Sequence, residues 1–173
     1  MKRFIQGLFV LIVMAALAQA AWHHQHLPER VATHFDQEGH PDDWSSRDTH
    51  IAFQVGIVLG IAGLMLVLAR FNIRLPDKFI NIPHREYWLA PARRAATCDW
   101  IAGILLAIGC VLTLFLGFVY QQVYEANLLP EPRLALQLLP LIVGLFIFGT
   151  SLVVMLMFRF GRPPEPTRRG RRR

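Results

Sequence analysis

Hydrophobic positions gather into four long blocks, Phe4 to Trp22, Ile51 to Ala69, Trp100 to Tyr120 and Leu134 to Phe158, each apolar all round. A helix in water keeps a single apolar stripe at a period near 3.6 residues, so an all-round pattern calls for lipid as the solvent. At about 1.5 Å rise per residue the second block covers roughly 28 Å, close to a hydrocarbon core of about 30 Å. The fourth is longer and is expected to tilt or to emerge into the interface. The pattern predicts an all-α integral membrane fold with four transmembrane helices. Residues 1–99 form one region, 100–158 the third and fourth spans, and 159–173 a tail.

The polar segments between the blocks punctuate this plan. Pro28 stops a helix from running straight on from the first span, and Gly39 with Pro41 reads as a turn. Val31 to Phe35 is expected to be extended, with Asp42-Asp43-Trp44 returning toward the membrane in a compact, ordered loop. The segment from Arg70 to Asp99 mixes bases with aromatics. Tyr87 and Trp88 suit the headgroup region, and a helix beginning near Pro91 leads into the third span. Arg93 and Arg94 are then placed to approach anionic lipid, and a partner protein is the alternative for this surface. The tail GRPPEPTRRGRRR is too polar and proline-rich to fold and is expected to hug an anionic surface.

Charge sets the orientation. Fifteen of the eighteen Lys and Arg fall at the N-terminal tip, between Arg70 and Asp99, or after Phe158, leaving only Arg30, Arg47 and Arg133 elsewhere. Basic residues near span ends stay in the cytoplasm, so both termini and the middle loop are expected inside, and 22–50 and 121–133 outside. The net charge of +6 is thereby a topological signal and implies no nucleic-acid partner. Met1-Lys2-Arg3, the apolar run and Ala18-Gln19-Ala20 imitate a cleavable signal, but the run continues past that site, so the first span is expected to be retained. Cleavage would leave three spans with the same sidedness. Cys98 and Cys110 make no disulfide framework and are read as reduced and structural.

Within the second span Ala52, Gly56 and Gly60 recur every four residues, a face small enough for close helix approach. Packing inside the bundle is the expected use, with self-association the alternative. Gln54, Thr113, Thr150 and Ser151 are candidates for interhelical hydrogen bonds. None of these is ionisable, which argues against a proton or ion pathway.

The outer loop carries six of the seven histidines, His23, His24, His26, His34, His40 and His50, with Asp36, Asp42 and Asp43 among them. These types can ligate zinc or copper, yet the spacing lacks His-Glu-x-x-His, a cysteine pair or an i, i+4 histidine pair, so no metal or other cofactor is assigned. Titration in a pH-sensing role is equally permitted. No Gly-x-Ser-x-Gly element, cysteine nucleophile or phosphate loop is present, and adjacent Asp42-Asp43 point apart. The expectation is a protein that is not an enzyme.

The run Leu27-Pro28, Val31, His34-Phe35, Gly39, Pro41-Asp42, Trp44, Ser46-Arg47 resembles domain of unknown function 1648, which is similar to the N-terminal part of SdpI-like immunity proteins. A second run, Asn81-Ile82-Pro83, Tyr87-Trp88-Leu89 and Pro91, resembles a segment that often follows in such proteins. The resemblance covers about the first half of the chain. It implies a bacterial cytoplasmic-membrane protein with its first span uncleaved, and recognition of an extracytoplasmic peptide or protein, immunity or signalling as a role, although SdpI itself has more spans. Matched residues would serve structure: Trp44 anchoring the loop, Phe35 packing beneath it, Gly39 supplying a backbone angle. His34 would be hydrogen-bonded in place or act as a ligand-binding group. The alternatives are a small oligomeric transport or channel component and a metal-binding envelope protein.

Overall fold

The structure, a computed structural model, describes residues 2–134 and 138–163, with side chains for all of these except 138–142. The basic tail beyond 163, expected to hug a membrane, lies outside the described residues. Four helices are long and apolar enough to cross a membrane: α1 (Lys2–His26), α2 (Arg47–Phe71), α4 (Pro91–Asn127) and α5 (Leu138–Phe160). A short α3 (Arg85–Trp88) follows two 3-10 turns in the basic loop. Large apolar side chains such as Phe4, Leu11, Phe53, Phe146 and Phe158 are exposed along the helices, as expected of surfaces solvated by acyl chains.

The all-α expectation needs one correction. Between α1 and α2 the chain forms a two-stranded antiparallel hairpin, β1 (Arg30–Phe35) and β2 (Pro41–Ser46), pairing Arg30 with Ser46, Ala32 with Trp44 and Phe35 with Pro41. Asp36 builds its turn: one carboxylate oxygen accepts from the N–H groups of Glu38 and His40 at 3.0 and 2.8 Å. Gly39 follows with φ +83°, a left-handed angle that costs other residues about 1–2 kcal/mol. Ser46 then caps α2, its hydroxyl accepting from Thr49 N–H.

Every span outruns its apolar block except at one end. α1 continues through His23, His24 and His26, and α4 starts at Pro91 and ends at Asn127. At about 1.5 Å per residue, the 37 residues of α4 reach roughly 55 Å, beyond the 40–45 Å of a bilayer with its headgroups. Leu134, expected to open the fourth span, instead lies before α5 and donates its N–H to the carbonyl of Gly39 at 2.9 Å.

α1, α2 and α4 make the core, with Phe9, Ala62, Met65, Ala69, Ala102, Leu106 and Cys110 buried together. The close approach comes from α4: a Cβ on Gly109 would strike the Phe9 ring, and one on Gly103 would touch Ile5 at 3.7 Å. Ala52, Gly56 and Gly60 do not serve this purpose. They face outward, and nothing described lies within 4 Å of a Cβ placed at either glycine. α2 turns His50, Gln54, Val58, Ala62, Met65 and Ala69 inward instead. Hiding an imidazole and an amide from acyl chains outweighs the packing offered by a strip of small residues.

Candidate functional site

At the hairpin end the three core helices each turn polar groups into the bundle. α1 presents Gln19 and His23, α2 presents His50 and Gln54, and α4 presents Thr113, Tyr120 and Gln121, with His23, Gln54 and Thr113 at 0, 1 and 1 % exposure. The spacing within α1 and α2 is four residues, which puts both members of each pair on one face. Gln19 Nε2 donates to the Gly117 carbonyl at 3.0 Å and to Gln121 Oε1 at 3.1 Å. His23 Nε2 lies 3.1 Å from the same oxygen, which can only accept, and so donates to it. Its ring stacks on Tyr124 at 4.3 Å and 7°, while His50 meets Tyr120 edge-on at 5.8 Å. His23 Nδ1, Gln54 Oε1 and Thr113 Oγ1 find no hydrogen-bond partner among the described residues. Three helices thus share a polar layer that is incompletely satisfied, where each unmatched atom costs about 1–3 kcal/mol.

The hairpin is seated on this layer. Leu27 and Val31 pack with Tyr124 and Ile51, and Asn127, the last residue of α4, holds the backbone of Ala32. Asn127 Oδ1 accepts from Ala32 N–H at 2.7 Å, and Nδ2 donates to the Ala32 carbonyl at 3.0 Å and to the Val123 carbonyl at 2.8 Å. The outward face is polar and acidic. His34 Nδ1 lies 2.5 Å from Asp42 Oδ1, and the Arg30 guanidinium sits 5.1 Å over the Trp44 ring. Phe35 pairs with Pro41 at the far end and does not lie beneath Trp44, which stands opposite Ala32. Pro28 separates α1 from β1.

The six histidines do not form one loop cluster. Only His34 and His40 belong to the hairpin region; His24 pairs with Asp48 at 2.9 Å and His26 bonds the Trp22 carbonyl, both at the surface. Among the described residues no three His, Cys, Asp or Glu side chains converge on a metal-sized site. Thr150 and Ser151, expected to bridge helices, bond to carbonyls one turn back within α5.

At the opposite, basic end, Trp88 is not an exposed interfacial anchor. It is 7 % exposed, donates from Nε1 to the Phe160 carbonyl at 2.9 Å, and packs with Ile80, Ile82, Leu89 and Cys98 around the Phe160 ring. Arg93 covers Tyr87 at 3.8 Å and donates to its carbonyl, and Arg94 pairs with Asp77. Pro91 occupies the first turn of α4, while Asn81 is exposed beside a half-buried Pro83. Cys98 and Cys110 are free and buried.

Gln19, Tyr120, Gln121, Tyr124 and Asn127 carry no motif that marks them in the sequence, and His23 and His50, expected in the outer loop, belong to α1 and α2. The available signal was the i, i+4 polar pairing at the ends of otherwise apolar helices. Residues 9–60 match the model of a family described as Domain of unknown function (DUF1648). The match spans most of α1, the hairpin and the first half of α2, less than a third of the chain, and the run from Asn81 to Pro91 lies outside it. No curated protein and no solved structure matches the chain.

Proposed function

We propose that this is a non-enzymatic, multi-pass protein of a bacterial cytoplasmic membrane whose hairpin faces outward and recognises an extracytoplasmic peptide or protein. In this reading the basic loop and tail face the cytoplasm and meet anionic lipid or a partner protein, as the distribution of Lys and Arg favours. The observation that carries the proposal is the grip of Asn127 on Ala32. It fixes a polar hairpin to the end of a helix that continues, unbroken, to the basic loop. A bound ligand then has a rigid element to act on, and an SdpI-like recognition or immunity role fits such a connection.

The test is made in intact cells. With Cys98 and Cys110 replaced, Gln37→Cys should react with a membrane-impermeant thiol reagent, and Lys78→Cys should react only after permeabilisation. A photo-crosslinking residue at position 37 should capture an envelope polypeptide, and Asn127→Ala should abolish capture while the protein remains in the membrane. Labelling of Lys78→Cys alone, or capture unaffected by Asn127→Ala, would overturn the reading.

A further inference from the structure

At the basic end the start of α1, the end of α2 and the first half of α4 diverge around a cleft of about 1060 Å³. That volume matches a sizeable ligand pocket. Its rim carries Lys2, Arg3 and Arg70, and its wall is apolar, with Trp100 and Leu106 behind. Leu66 and Val67 line it and are also 38 and 53 % exposed, so the cleft opens sideways onto the apolar belt of the bundle.

Charge divides the rim unevenly. Lys2 donates to Asp99 at 2.7 Å, whereas Arg3 and Arg70 form no ion pair among the described residues. An occupant must therefore offer apolar chains to the belt side and negative charge to two guanidinium groups at the membrane border. We infer that the cleft is a binding site for a phospholipid with a net-negative headgroup, its phosphate between Arg3 and Arg70 and an acyl chain along Leu66, Val67 and Trp100. Guanidinium groups suit phosphate because they present paired donors. The inference deepens the reading of the basic end as a lipid-contacting surface by confining the contact to one cleft, and it is independent of the role given to the hairpin.

Native mass spectrometry of the purified full chain in detergent tests it, with phosphatidylglycerol and phosphatidylcholine of identical acyl chains as probes. The wild type should retain phosphatidylglycerol preferentially. Arg3→Gln and Arg70→Gln should each weaken retention about fivefold, the effect expected of one base at an anionic lipid surface. Asp99→Asn, which releases Lys2 to the rim, should strengthen retention, a gain that a misfolded protein would not give. Arg85→Gln removes an exposed base of the basic loop outside the cleft and should leave retention unchanged. Equal retention of both lipids, indifference to the rim substitutions, or a loss with Arg85→Gln as large as theirs would overturn the cleft, and the last result alone would still leave the loop as a diffuse lipid contact.

Discussion

Asn127 and Ala32, ninety-five residues apart, are joined through both backbone polar groups of Ala32 by one side-chain amide. Ala32 is fully buried, so neither group has water as a substitute. Asn127→Ala should lower stability by about 2–4 kcal/mol, the cost of leaving two buried groups unmatched. Thermal unfolding in detergent measures it, and Asn127→Asp should not rescue, because a carboxylate cannot donate to the Ala32 carbonyl.

Gly39 binds the hairpin tip to the segment before α5 through its carbonyl and Leu134 N–H. A Cβ at position 39 would collide with the Leu134 carbonyl oxygen as well as strain a φ of +83°. Gly39→Ala should release this contact and speed amide exchange over residues 36–46, while exchange in α4 stays unchanged. Uniform acceleration through the bundle would contradict the local role given to the turn.

His23 and His24 are neighbours in sequence with opposite surroundings. His23 is fully buried between Tyr124 and Gln121, whereas His24 meets Asp48 at the surface. His23→Ala should destabilise by about 2–4 kcal/mol through a cavity and an altered hydrogen-bond network. His24→Ala should cost no more than about 1 kcal/mol, because an exposed polar contact of this kind contributes little. Equal losses in a thermal-shift comparison would refute the assigned burial.

Glycines give a similar contrast. Gly109 faces Phe9 so closely that Gly109→Leu would overpack the core, an expected loss of about 1–3 kcal/mol. Gly56→Ala and Gly60→Ala meet open space and should be neutral or gain up to about 1 kcal/mol of helix propensity. Detergent melting curves of the three variants separate the faces.

Sequence pattern located the four helices because contact with acyl chains demands apolar residues on every side, a demand visible in any window of the right length. It located one end, the start of α4 at Pro91, and missed others. His23 extends α1, and Asn127 extends α4, where protein and hairpin bury them in place of lipid. Helix faces were harder still. The small-residue period at Ala52, Gly56 and Gly60 identifies a surface that something can approach, but the surface that turns inward is the one that carries His50 and Gln54. The hairpin turn was legible in Gly39 and Pro41, since those residues restrict the backbone locally. Its attachment through Asn127 was not, because that contact joins segments whose proximity only the bundle creates.

Among the described residues, an aromatic cluster fastens the C-terminal end of the fourth helix. Phe160 sits between Trp88 and Trp100, and the His84 ring bonds the Gly161 carbonyl at 3.1 Å. Farther along, α5 and α4 enclose an apolar cleft of about 300 Å³ between Ile108, Leu112, Leu145 and Leu152. The other three spans already bury Phe9 and the polar layer without it. Assembly in the order of synthesis would therefore complete a three-helix unit before the last span arrives, with the aromatic cluster around Phe160 registering its docking.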